Sequence, residues 1–287
     1  MIYEHLSRRQ FISLSSGLLA APLLAGAAAD DKAPKPGADD NAVPKVDLHV
    51  HLDNSTIEKV VALSKERGVR FGIVQHAGTT ENKYPVMLST DADLEGYIKM
   101  LDNTGVFKGL QAEWIDWASC FSKPVLKKLD FVLSDAMTMP GPDGKRMKLW
   151  DPTAVIGAPD EFMDKYADWH AHRMSTEPLD VFGNVTWLPE KLLPDYDKLW
   201  TDPRMHKVID AAVKYNVALE ISGSLKLPKL PFLRMAKAAG VKFTFGTNGR
   251  YPNMGLIDYC LETAKELNLT RADMFLPGSG GPKAAQA

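Results

Sequence analysis

Short apolar runs, each followed by an amphipathic helical stretch, recur seven times between Lys45 and about residue 267, and this alternation restricts the fold more than any other feature. The strands are expected at 45–51, 69–76, 106–114, 130–136, 180–185, 217–222 and 241–247. Between and after them, helices are expected from Asn54 or Ser55 as a cap to Gly68, then at 91–104, about 117–129 with an interruption near Pro124, 160–174, 203–215, 231–239 and 256–267. Strands alternating with helices of this length build parallel sheets joined by crossovers. Seven such units predict an α/β fold in one domain, a distorted parallel (βα)7 barrel that is TIM-barrel-like. The segment 139–159 breaks the rhythm. Its turn run Pro140-Gly141-Pro142-Asp143-Gly144 sits in a loop long enough to be a lid or a substrate-binding excursion.

Parallel barrels place their chemistry at the carboxyl ends of the strands. Those ends carry His49 and His51, then His76, Glu113, Met137, Asn184, Glu220, and Asn248 with Arg250. In an extended chain alternate side chains share a face, so His49 and His51 point the same way. Two neutral imidazoles presented together chelate zinc, iron or manganese rather than calcium. Asp47, just before the pair, is placed to orient one imidazole. Three imidazoles and a carboxylate at the first three strand ends make a candidate metal site that keeps a position open for water.

The 287 residues carry a formal charge of -2, which excludes a general attraction to nucleic acid or anionic membrane. Cys120 and Cys260 are too few for a disulfide framework; open to pairing or to staying free, they read as small buried hydrophobes. Residues 1–29 read as an export signal. Arg8-Arg9-Gln10-Phe11 resembles a twin-arginine address, and the apolar run from Ile12 ends in small residues suited to cleavage, leaving no stable membrane anchor. The protein is accordingly expected to be exported, periplasmic or extracellular. Residues 30–44 read as a flexible linker, 45–278 as the barrel, and 279–287 as an unstructured tail.

In order along the chain stand DLHVH at Asp47–His51, GVRFGIVQH ending at His76, GLQAEW with Glu113, and DFVLSDAM. They are followed by DVFGN at Asp180–Asn184, ALEIS with Glu220, and FTFGTNGR at Phe243–Arg250. With these pieces the chain resembles the polymerase and histidinol phosphatase (PHP) superfamily of metal-dependent phosphoesterases. The resemblance implies a seven-stranded distorted barrel and up to three metals that activate water for attack on a phosphate ester. The chain also departs from the family pattern. Met137 and Asn184 stand where the family carries histidines, Asn248-Gly249-Arg250 replaces Asp-x-His, and an early histidine is missing near Ser55 or Ile57. By the resemblance, His49, His51 and Glu113 keep most of one metal position, Asn248 weakens it, and His76 belongs to a second position whose other ligands are lost. One ion (zinc, manganese or iron) or none is therefore expected.

Two mechanistic readings follow. In the first, one divalent ion activates water against an ester of a small molecule, with Glu113 and Arg250 catalytic; Arg250, Glu220 and Asn184 contact the substrate, Arg250 gripping a phosphate or carboxylate through its fork. In the second, the ligand losses have ended hydrolysis and the barrel is an exported binding protein. An amidohydrolase-like hydrolase, which also begins with His-x-His, ranks third. The spacing His170-Ala171-His172 mimics the first pair, but it falls on a helix, where positions i and i+2 diverge.

Overall fold

The computed structural model describes residues 41–79, 84–278 and 280–286. The export signal expected at 1–29 and residues 30–40 of the expected linker lie outside the described residues. The elements follow the predicted rhythm: β1 (Val46–Val50), α1 (Ile57–Arg67), β2 (Arg70–Ile73), β3 (His76–Ala77), α2 (Asp91–Leu101), β4 (Phe107–Ala112), α3 (Lys123–Leu126) and β5 (Phe131–Asp135). A hairpin of β6 (Thr138–Pro140) and β7 (Arg146–Lys148) precedes α4 (Pro159–Thr176), β8 (Val181–Gly183), α5 (Tyr196–Leu199) and α6 (Asp202–Lys214). The chain continues through β9 (Ala218–Ser222), α7 (Leu230–Ala238), β10 (Phe243–Gly246) and α8 (Asp258–Glu266).

One parallel sheet runs β1-β2-β4-β5-β8-β9-β10, with short β3 adding to β4. It curls into a barrel whose seam is joined at the carboxyl end. There Val50 bridges Gly249, the His51 N–H donating to Gly249 O at 2.9 Å and the Gly249 N–H to His49 O at 3.0 Å. The seven-stranded α/β barrel is thus the observed fold. Its lower interior is apolar, filled by Val46, Leu48, Val74, Phe107, Phe131, Leu133, Val181 and Ala218, and Phe275 and Leu276 close it from below. A second, larger core lies between sheet and helices. Polar side chains are left for the upper layer, where the strands end. Among the described residues no helix is long and apolar enough to cross a membrane.

Four local expectations are corrected. Helix α1 starts after Thr56, not at an Asn54 or Ser55 cap, and ends as expected at left-handed Gly68. The helix expected at 117–129 with an interruption near Pro124 is reduced to a 3-10 turn, Trp117–Cys120, and the short α3. Pro124 lacks the N–H that a helix interior needs and sits in the first turn of a new helix. The irregular segment 139–159 contains the β6–β7 hairpin. The tail expected to be unstructured forms a 3-10 turn at Lys283–Ala285, where the Lys283 ammonium donates to Leu179 O at 2.7 Å and Tyr215 O at 3.2 Å and Ala284 is buried.

Candidate metal centre

A bulge in β1 decides which residues reach the mouth. Register with β2 slips between Asp47 and Val50, so Leu48 joins the barrel interior and His49 also turns inward. Asp47 is thereby turned to the seam. It accepts from Thr247 Oγ1 at 2.6 Å, the Gly255 N–H at 2.7 Å, the Thr247 N–H at 3.0 Å and the His49 N–H at 3.2 Å. It ties β1 to the chain after β10 and orients no imidazole, contrary to the sequence reading. Burial pushes its carboxyl up to about 6, against the pull of these four donors.

His49, His51 and Asp53 follow at alternate positions, and the His49 and His51 rings lie with centroids 5.3 Å apart. The ligand atoms of His51, Asp53 and His76 all lie within 4.8 Å of one another. His51 is fully buried; neither ring nitrogen makes a well-formed hydrogen bond, and Asn248 is the side chain close enough to interact with it. Burial, and then the positive charge of His49, His76 and Arg250 nearby, pushes it well below the ordinary imidazole range against the pull of Asn248, so its ring is neutral. Neutral, desolvated nitrogen is the state a transition-metal ligand requires, and it is costly to keep buried otherwise. The His76 ring stacks on His51 with centroids 4.8 Å apart, and its Nδ1 hydrogen-bonds Glu113 Oε1, the carboxylate–imidazole pairing that orients metal-binding histidines. Two imidazoles and a carboxylate fit a divalent ion with a position left open. Asp53 was missed in the sequence because it lies past the end of the strand; the signal was the unbroken alternation from His49.

The other expected ligands are committed elsewhere. His49 donates from Nδ1 to Glu220 Oε2 at 2.6 Å and from Nε2 to Gln111 Oε1 at 3.1 Å. Burial alone would depress its pKa, but the charge and hydrogen bond of Glu220 overcome burial and raise it. Gly183 and Gly246 make room for this pair; a Cβ on Gly246 would stand 2.6 Å from Glu220 Cδ and 2.9 Å from His49 Cβ. Glu113 binds His76 through one oxygen and Arg146 Nη2 through the other. Burial would raise its carboxyl, yet His76 and Arg146 hold it below the usual range. Asn248, at φ +48°, accepts at Oδ1 from Arg250 Nη1 at 3.0 Å, and Arg250 Nε donates to Asp53 Oδ2 at 2.9 Å. Asn184 Nδ2 lies 3.5 Å from Asp135 Oδ2 and from Met137 Sδ, while its Oδ1 and Glu220 Oε1 are buried without partners. Gln111, Asp135, Tyr84 and Arg146 are mouth residues that sequence reasoning did not single out. Tyr84 stacks on His76 with centroids 4.0 Å apart and 13° between planes.

No protein-family model and no curated protein matches the chain. Among solved structures it is similar to histidinol phosphate phosphatase from Lactococcus lactis subsp. lactis Il1403, complexed with zinc, L-histidinol and phosphate. That match has 16% identity and a TM-score of 0.55, and it covers 85% of this chain and 98% of that one. An HpcH/HpaI aldolase from Desulfitobacterium hafniense DCB-2 matches at 12% identity and TM-score 0.37, over 79% of this chain and 92% of the other. A phospho-2-dehydro-3-deoxyheptonate aldolase from Thermotoga maritima matches at 11% and 0.32, over 79% and 69%. The fold is that of the histidinol phosphate phosphatase, as the resemblance implied.

Proposed function

We propose that this barrel, which shares its fold with a histidinol phosphate phosphatase, is a metal-dependent hydrolase of phosphate esters of small molecules, with one divalent ion (zinc, manganese or iron) held by His51, His76 and Asp53. The observation that carries the reading is His51, a buried neutral imidazole whose nitrogens make no well-formed hydrogen bond, beside two further donors. When bound, the ion acidifies a coordinated water and balances charge on the phosphate. Glu113 fixes the ring orientation of His76. Arg250 holds the Asp53 carboxylate toward the group and presents its guanidinium at the rim, where it meets the substrate anion. Asn184 Oδ1 and Glu220 Oε1, buried acceptors at the mouth, receive hydroxyl donors of the substrate. Tyr84, kept neutral by burial, walls the His76 ring from water. The Arg8-Arg9 segment supports export of this activity from the cytoplasm, and cell fractionation of the wild type and an Arg8→Lys, Arg9→Lys variant tests that reading.

A second reading, an exported binding protein without catalysis, is favoured by the internal commitments of His49 and Glu113. Elemental analysis of protein purified without chelator, run beside a screen of generic phosphomono- and diesters, separates the two. About one equivalent of metal with turnover is the expected result; no metal and no turnover leaves the binding protein.

A further inference from the structure

Among the described residues, eight of the ten exposed large apolar side chains lie in connections that follow the carboxyl ends of strands; the other two, Met100 and Val213, are on α2 and α6. Six of the seven strand-to-helix connections contribute: Val86 after β3, Ile115 after β4, Val155 after β7, Leu193 after β8, Leu225 after β9 and Leu256 after β10. Trp150 and Tyr251 add amphipathic rings at the same end. Among the described residues none lies in a connection that leads into a strand, so the two ends of the barrel differ. Apolar side chains exposed singly need no explanation, but their concentration around one end marks a contact face. That end also carries an apolar cavity. Between the connections after β7 and β8 lies a space of about 490 Å³, walled by Leu149, Trp150, Pro152, Ile156, Trp187 and Pro189. Lys191 Nζ donates to Pro152 O at 3.2 Å and ties the two walls. The Trp187 N–H donates to Asn184 O at 2.8 Å, so one wall begins a single turn beyond a mouth residue.

Resting on the phosphoesterase reading, we propose that the carboxyl-end face docks on a lipid surface and that the ester hydrolysed there is a phosphate ester of a lipid alcohol. The phosphate enters the polar mouth, an alkyl chain takes the cavity between Trp150 and Trp187, and the rim side chains rest among the lipids. Water gives its oxygen to phosphorus, the bond from phosphorus to the alcohol oxygen breaks, and that oxygen takes a proton as the alcohol leaves. A lipid surface is the cover that this end can take without losing its chemistry. A folded partner or a second copy seated on a ring of loops would shut the mouth inside the contact, whereas a bilayer brings the substrate with the cover. A hydrophilic ester gives neither the rim nor the cavity a use. The net charge of -2 supplies no long-range pull toward anionic lipid, so attachment rests on apolar burial and on Trp150 and Tyr251, residue types that settle at membrane interfaces.

The test uses the metal-loaded full chain and vesicles of brominated phosphatidylcholine with phosphatidate as a minor component. Wild type is compared with a rim variant, Val155→Ser with Leu193→Ser and Leu256→Ser, and a control variant, Met100→Ser with Val213→Ser. Quenching of tryptophan fluorescence by the brominated chains reads docking of the barrel itself, because residues 1–44 hold no tryptophan. Diacylglycerol release reads hydrolysis of the vesicle ester, and p-nitrophenyl phosphate reads hydrolysis of a soluble one. The rim variant is expected to lose about 10- to 100-fold in vesicle partition, the summed worth of three half-exposed apolar side chains. Its diacylglycerol release should fall by a similar factor, at least about tenfold more than its turnover of the soluble ester. The control variant should match the wild type throughout, and high salt should leave docking in place. Docking that is absent from the wild type, retained by the rim variant or abolished by high salt overturns the proposal, as does equal loss on both esters. Soluble-ester turnover without docking keeps the phosphoesterase reading and ends this proposal. Rim-dependent docking with turnover of neither ester does the reverse, ending the phosphoesterase reading and leaving the docking face.

Discussion

His49-Val50-His51 and His170-Ala171-His172 have the same spacing and opposite surroundings. On β1 the period of two sends both imidazoles into the barrel mouth, with centroids 5.3 Å apart. On α4 the same spacing separates them. His170 is buried against Tyr166, Phe182 and Trp200, its nitrogens 2.6 Å from Tyr166 O and 3.0 Å from Val185 O. His172 lies flat on Trp169 with centroids 5.2 Å apart. A motif acquires chemistry from the element that carries it, and then from its neighbours. Within the first pair, His49 is held by Glu220 and Gln111, and His51 keeps ring nitrogens without a well-formed hydrogen bond.

The largest effect is expected where that difference is removed. His51→Ala combined with His76→Ala leaves one of the three clustered donors, so the metal should be lost and hydrolysis should fall on the order of a thousandfold or more, the several kcal/mol that a bound ion supplies to the transition state. Elemental analysis and ester turnover check it. A double variant that keeps its metal would move the site back to His49 and its partners.

The second pair has its own signature, in stability rather than activity. Burial pushes His170 down to about 4 from an ordinary 6.5, against the pull of its two carbonyl contacts. A depressed histidine contributes stability that is fully present above pH 6.5 and is lost as pH falls toward 4, because the unfolded chain then binds a proton that the folded one refuses. The span corresponds to about 3 kcal/mol. Urea midpoints measured from pH 7 to 4 should fall accordingly, and His170→Phe, which keeps the aromatic packing, should flatten that slope. An unchanged slope in the variant would assign the acid sensitivity to other groups.

Much of the fold was legible because it rests on periodicity. The order of strands and helices, the carboxyl-end placement of His51, His76 and Glu113, and the divergence of His170 from His172 follow from which residues are apolar and how they repeat. What the sequence concealed depends on departures from regular geometry or on contacts between distant segments. The bulge in β1 turned Asp47 from the imidazoles to the seam, a change of one residue in register that composition does not announce. The commitment of His49 to Glu220, 171 positions away, and of Glu113 to Arg146 on a hairpin read as irregular, is tertiary. Asp53 lay in plain view on the alternation but beyond the end of the strand.

A smaller effect separates a ligand from the group that orients it. Glu113→Gln leaves an amide beside His76 and deprives Arg146 of its counter-charge, while His51, Asp53 and the His76 ring remain. Metal affinity should weaken about 10- to 100-fold, the usual cost of losing a carboxylate behind a metal-binding imidazole. A competition titration against a chelator of known affinity measures it. Complete loss of metal would make Glu113 a direct ligand, as the family resemblance first implied.

The smallest expected effect closes the comparison. His172→Ala removes a ring that stacks on Trp169 and touches none of the mouth residues, so metal content and ester turnover should match the wild type and stability should change within about 0.5 kcal/mol. The measurement is informative because the residue belongs to the same His-x-His spacing. If His172→Ala lost metal, the spacing itself rather than its placement on a strand would carry the chemistry, and the assignment of the site to the segments that follow β1 and β2 would fail with it.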